Sequence, residues 1–418
     1  GYLNTGFFAP NSRLGSVEDF KYFVNYLHEQ GVGVILDFIP NHFAIEAYGL
    51  KYFQDQAPGE SSLSLAEMAR KVWYSYGSEL FKYSKKKIRE FLISSAHFWL
   101  KEMHIDGLRV DCLSGVLKGD KSTLFLKDLN QTVRKDVKGS YMIAEDFSGN
   151  PSILHDPKNP SDLGFDSKWN VGWNYFVLEH FTKTPRNRKF FYADIKKAIA
   201  EIPHSRDSVA FLSHDEFSSK SKYESLLKSW IKDYKDPHVQ KDWKNLITLL
   251  MMTPGHKLLL SGLEFGVNSF WDEILEQGKG LMNSYENPTA FQTTMQQLVA
   301  ELAKLYKEEV FALEKAEIEW LEDPKHLVHA YRRSSEDTSL VVLHNFTDAT
   351  QEEFTVSLPK EKGQTILLEQ VFVTDKEGKD QGKNYITHVE TLPDKVVYKV
   401  RVPRQNTLII KEKRTCPA

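Results

Sequence analysis

Four times in this chain an apolar run of strand length ends on charged or polar side chains: GVGVILDFIPNH at 31–42, GLRVDCL at 107–113, YMIAEDF at 141–147 and SVAFLSHDE at 208–216. Between and around them lie helical stretches. SVEDFKYFVNYLHEQG opens on a capping Ser16, with Asp19 at the capping-box position, and places Phe20, Phe23, Val24 and Leu27 on one stripe. KKIREFLISSAHFWLKEM sets Ile88, Phe91, Leu92 and Ser95 on a shared face, and LFLKDLNQTVRKD and KDWKNLITLLMM complete the set. Strands alternating with helices predict parallel β/α units. In a β/α barrel the C-terminal ends of the strands are where active sites are built.

Six such strands are predicted, near 33–39, 107–112, 141–146, 164–169, 208–213 and 257–262. A closed barrel of this type has eight. The expected fold is therefore a TIM (β/α)8-type barrel without its first two strands, its place in need of filling by a further N-terminal segment or chain. From about residue 313 the rhythm changes. HLVHAYRRS, SLVVLHNF, EEFTVSLP, QTILLEQVFV, VVYKVRVP and NTLIIKEK alternate with turn-rich stretches, which predicts an all-β C-terminal sandwich. The expected domains are 1–312 and 313–418.

Composition narrows the function classes. A net charge of −3 over 418 residues argues against a polyanion-binding surface. KYSKKKIRE reads as the solvated start of a helix, not a nucleic-acid patch. No apolar run approaches membrane-span length, and GYLNTGFFAP lacks a signal-peptide pattern. Cys112 and Cys416 cannot make a disulfide framework, which fits a cytoplasmic setting.

The strand ends carry the chemistry. Arg109 and Asp111 are two apart on a strand and share a face, so a mostly apolar element holds an ion pair. Alone, such a pair is more often structural. With Glu145 and Asp215 it gives three acids on three strands, accompanied by Asp37, His42 and His214. Two carboxyls flanking a sugar bond divide a retaining glycosidic mechanism between nucleophile and acid/base. Arg109 is expected to hold Asp111 ionised, and burial beside Asp146 to raise the Glu145 carboxyl. A metal reading through Asp37, His42 and His214 has no supporting ligand spacing, so no metal is expected.

DFIPNH, GLRVDCL, IAEDFSG and FLSHDE resemble, in order, the four signature regions of the α-amylase superfamily, glycoside hydrolase family 13. GYLNTGFFAPNSRLGSVEDFKYFV, FLISSAHFWLKEMHIDGLRVD, LGFDSKWNVGW and PGHKLLLSGLEFG are similar to its 1,4-α-glucan branching group, and HNFTD to that group's β domain. The resemblance implies Asp111 as nucleophile, Glu145 as general acid/base and Asp215 as the third acid, which holds sugar hydroxyls. It implies His42, His214 and Tyr2 as groups gripping the sugar on the non-reducing side, Arg109 beside the nucleophile, and Asp37 as mainly structural. It further implies an α-1,4-glucan substrate (glycogen, amylose or maltooligosaccharide), no cofactor and a monomer. Three positions depart from the pattern: HDEFSSKS stands for the usual HDEVVHGK, SGLEFGVNSFWDE replaces the usual MGxEFGQ with its longer following segment, and Leu3 replaces a glutamine. They cluster where an acceptor chain would lie. A retaining hydrolase of α-1,4-glucan or a trehalose-capped oligosaccharide, and a non-catalytic glucan-binding remnant, are the alternatives to branching.

Overall fold

The computed structural model describes residues 2–44, 66–67, 78–146, 150–156, 158–200, 208–211, 235–266, 286–313, 316–323, 325–336, 338–361, 364–374 and 384–415. The chain forms two compact units, Gly1–Trp169 and Asn170–Ala418. The change of architecture expected near residue 313 falls inside the second unit.

In the first unit Ser16 caps helix α1 (Val17–Glu29): its hydroxyl accepts from the Asp19 N–H at 3.0 Å, and Asp19 accepts from the Ser16 N–H at 2.8 Å. Strands β1 (Ile35–Phe38), β5 (Gly107–Val110), β6 (Tyr141–Ala144) and β7 (Ser167–Trp169) pair in parallel in that order. A small antiparallel sheet of β2 (His42–Ala44), β3 (Ala66–Glu67) and β4 (Ser78–Phe81) branches off after β1. Helix α2 (Lys86–His97) runs into a π-helical turn at Phe98–Glu102; the short helix α3 (Leu113–Val116) and helix α4 (Ser122–Asp136) separate β5 from β6. Ile88, Leu92, Leu108, Val110, Phe125, Leu129 and Val133 interlock in one buried core. Gly107 is required by sheet spacing, because a Cβ there would lie 2.3 Å from the Tyr141 carbonyl oxygen.

The predicted apolar stripe of α1 is only partly covered. Val24 is buried and Phe20 meets the Trp99 ring edge-on, but Phe23 is half exposed. The helix touches this core along its Phe20–Val24 edge alone.

The second unit contains α5 (Val171–Phe181), α6 (Tyr192–Ala200), the parallel pair β8 (Ser208–Phe211) and β9 (His256–Leu258), α7 (Pro237–Met252) and α8 (Ala290–Leu305). Two antiparallel sheets follow. One has the order β10-β11-β12-β17-β14, from Ile318–Leu321, His329–Ser334, Thr338–Asn345, Asn406–Thr415 and Thr365–Val373. The other has the order β13-β16-β15, from Gln351–Pro359, Lys395–Val402 and Ile386–Thr391. Val341, Leu343, Phe354, Val356, Tyr398 and Val400 fill the space between them, the predicted sandwich. Two of these strands, β10 and β15, were not legible as alternating runs: β15 is almost wholly exposed. Tyr331 and Val342 of the first sheet also join the helical core of this unit, with Trp173, Leu246 and Leu250. One continuous core therefore crosses the expected domain boundary. The architecture is a (β/α)-barrel-type parallel half-barrel followed by an antiparallel β domain.

Candidate active site

Register places the acids. In β1 and β5, Asp37 stands opposite Arg109 and Phe38 opposite Val110; in β5 and β6, Val110 stands opposite Ala144. Asp111 and Glu145 therefore lie level, one residue beyond their strands. The ladder extends to both: the Asp111 N–H donates to the Phe38 carbonyl at 2.9 Å, and the Glu145 N–H to the Val110 carbonyl at 3.1 Å. The chain then turns at Cys112, which adopts the left-handed conformation at φ 49°, a costly one for a non-glycine residue and typical of functional sites. In that turn the Cys112 N–H donates to Glu145 Oε2 at 2.6 Å, and the Leu113 N–H to the Glu145 carbonyl at 3.0 Å. The backbone that carries one acid thus clamps the other.

Arg109 is the hub. Its Nη1 lies 3.0 Å from Asp37 Oδ1, 3.0 Å from Asp111 Oδ1 and 3.3 Å from the Tyr2 hydroxyl; its Nη2 lies 2.8 Å from Glu145 Oε1. Tyr2 in turn donates to Asp37 Oδ2 at 3.1 Å. His42 approaches from the start of β2. Its Nε2 donates to the Tyr2 carbonyl at 2.9 Å, and its Nδ1 faces the Asn41 amide at 3.3 Å. Those partners select the neutral tautomer with the proton on Nε2, and burial lowers the His42 pKa against the pull of the Tyr2 carbonyl. Beneath it, Tyr83 donates to the Pro40 carbonyl at 2.8 Å and stacks on Phe125, fixing the Pro40–Asn41–His42 turn.

One guanidinium faces three acids here, and the balance is negative. Burial, the Glu145 and Asp37 charges and a hydrogen bond with Glu145 push the Asp111 carboxyl up to about 8, although Arg109 pulls it down. This corrects the expectation that Arg109 holds Asp111 ionised: the arginine is shared, and the desolvation it opposes is larger. Arg109 itself stays charged, since Glu145, Asp37 and Asp111 outweigh the burial that would lower it. Asp111 thus keeps its proton through the neutral range.

Tyr2, Asp37, His42, Arg109, Asp111 and Glu145 are brought together as the sequence predicts. His214 and Asp215, Cys416 and most of the acceptor-side stretch after Gly266 lie outside the described residues. Sequence reasoning missed the Cys112 backbone donor, Asn41 and Trp169, whose ring lies 4.5 Å from the Arg109 guanidinium carbon. Only the position of Trp169 at a strand's C-terminal end, level with the other polar ends, offered a signal. No described group of three or more histidines, cysteines or acids has metal-binding geometry.

Residues 74–309 match the α-amylase catalytic-domain family model. The chain belongs to the α-amylase family. The match includes Arg109, Asp111 and Glu145, while Tyr2, Asp37 and His42 precede it. Among curated relatives of this α-amylase-family chain, the 1,4-alpha-glucan branching enzymes GlgB of Dechloromonas aromatica and Aquifex aeolicus are each 33% identical to it, over 86% of the chain. That of Methylococcus capsulatus is 30% identical over 90%. The chain spans 52% to 60% of the length of these three relatives. Among solved structures, the α-amylase of Geobacillus thermoleovorans complexed with acarbose superposes with a TM-score of 0.70 at 18% identity, covering 99% of this chain and 84% of that one. The α-amylase of H. orenii gives 0.65 at 18% identity, covering 99% and 87%. These two likenesses establish the α-amylase fold.

Proposed function

We propose that this chain carries the retaining chemistry of a 1,4-α-glucan branching transferase. The observation that carries the reading is the Asp111–Glu145 pair, level on neighbouring strands and both held on one guanidinium. A glucan enters between the carboxyls, one ionised and one protonated. Asp111 Oδ then attacks the anomeric carbon as the C1–O4 bond breaks, and the proton on Glu145 passes to the departing O4. The glucan chain is now an ester of Asp111. Glu145, ionised, removes the proton of an acceptor 6-hydroxyl, whose oxygen attacks C1; the ester bond breaks and both carboxyls return to their starting states.

Arg109 offsets the charge that develops on Asp111, and Tyr2 and His42 border the bound sugar. His214 and Asp215 enter on the resemblance alone, as a sugar-gripping histidine and a third acid. The reaction asks for no cofactor, because the anomeric carbon is the electrophile and a sugar hydroxyl the acceptor. A cytoplasmic setting, a monomer, and completion of the barrel by a further segment belong to the same proposal. The identity to branching enzymes supports the choice of a 6-hydroxyl over water.

The test is linkage analysis of amylose incubated with the chain. New α-1,6 bonds without new reducing ends are expected. Reducing ends without α-1,6 bonds would mean a retaining hydrolase, and neither product would mean a glucan-binding remnant.

A further inference from the structure

The Arg109 guanidinium has an edge and two faces. Its edge meets acids: Asp37 and Asp111 through Nη1, Glu145 through Nη2. Its Nε finds no acceptor among the described residues. One ring lies 4.5 Å from the guanidinium carbon, that of Trp169; the Tyr2 ring is farther, at 5.6 Å. Trp169 is the last residue of β7, beside β6, and is 7% exposed.

We infer that Trp169 is a positioning residue: its indole face sets the plane from which Nη1 and Nη2 of Arg109 reach Asp111 and Glu145. The inference rests on the catalytic reading above, because its argument concerns what changes during turnover. In that reading Asp111 loses its charge when it becomes an ester, and Glu145 alternates between acid and carboxylate. Two of the three acids on the guanidinium edge therefore change in every cycle. Asp37 takes no part in these bond changes but fixes a single nitrogen, about which the plane can swing. A backbone carbonyl on Nε would prevent that swing, as the Lys183 carbonyl does for Arg188 at 3.1 Å. Arg109 has no such partner among the described residues. Attraction between a cation and an indole face is independent of any acid's protonation, is strongest for tryptophan and grows on desolvation. The buried ring supplies the restraint that the acids cannot.

The test compares the full chain with Trp169→Phe, Trp169→Leu and, as a separate control, Asp111→Asn, on amylose. Trp169→Leu is expected to lower kcat about 10- to 30-fold with KM within about twofold. It should also move the upper limb of the pH–rate profile to lower pH, as water reaches the pair. Trp169→Phe keeps an aromatic face and should stay within about threefold of the parent. A readout independent of turnover is the nitrogen-15 spectrum of the arginine side chains: the Nη signals of Arg109 should be resolved in the parent and Trp169→Phe, and averaged by rotation in Trp169→Leu. Equal losses in the two Trp169 variants with an unmoved pH limb, or identical Nη signals in all three proteins, overturn the inference. Turnover by Asp111→Asn overturns the functional reading, and the Nη comparison still decides the role of Trp169.

Discussion

Arg109 in the first unit and Arg188 in the second are both buried, and both lie against an aromatic ring. Their partners differ in kind. Arg188 makes a two-pronged pair with Asp242, at 2.6 and 2.5 Å, and its Nη1 and Nε also reach the Phe346 and Lys183 carbonyls at 3.1 Å each. One acid meets one base, and neutral carbonyls complete the set. Arg109 has three acids, a tyrosine hydroxyl and, among the described residues, no carbonyl on its Nε. The first arrangement satisfies a buried charge. In the second, burial and the excess of negative charge leave a carboxyl holding its proton. The two arginines separate a one-to-one buried ion pair from a cluster in which a carboxyl stays protonated.

The sharpest way to break this comparison is to neutralise one acid in each cluster. Asp111→Asn should lower turnover on the order of 10^4-fold or more, as expected for loss of a nucleophile. It should change unfolding free energy by under about 1 kcal/mol, because Arg109 keeps two acids. Asp242→Asn should do the reverse. It strands a buried guanidinium and is expected to cost about 3–5 kcal/mol in urea unfolding. Equal stability losses in the two variants would erase the distinction.

Acidity offers the next test. If the pair must hold one proton, kcat/KM should fall as pH rises through about 8, where Asp111 gives it up. Stability carries the same sign in this cluster. The folded chain binds a proton there that the unfolded chain has lost above the usual carboxylate range, so this contribution is full at low pH and fades as pH approaches about 8. The second unit has the opposite sign. His180, His329 and His344 are packed around Phe346, and burial lowers all three, His180 and His344 to about 3. His180 is lowered further by Arg188, against the pull of the Phe191 carbonyl. Unfolded, they would take up protons below about pH 6.5, so their contribution is present above that pH and lost as it falls. The smallest expected effect is in His344→Gln, which should flatten the acid side of the stability curve in urea and leave the kcat/KM limb near pH 8 in place.

Much of this was legible beforehand, for identifiable reasons. A polar residue closing an apolar run conflicts with burial, and GLRVDCL and IAEDF show that conflict openly; their residues meet at Arg109. The α1 cap was equally plain, since Ser16 and Asp19 act within four residues. What stayed hidden depends on contacts between distant segments. The sharing of Arg109 among Asp37, Asp111 and Glu145 follows from strand register, and it reversed the expected ionisation of Asp111. Trp169 closes a three-residue strand too short to show a period. Strand β15, exposed along nearly its whole length, lacks the burial that makes alternation readable.

The central claim is that Asp111 forms a covalent bond to the sugar while Glu145 supplies the proton. The most direct measurement is trapping with a 5-fluoro-α-glucosyl fluoride, whose ring fluorine slows both steps while its good leaving group favours the first, followed by mass spectrometry of the digested chain. The account predicts one glucosyl ester, on the peptide carrying Asp111, and none in Asp111→Asn. An ester on Glu145 or another acid, or a product of inverted configuration with no adduct, would contradict it.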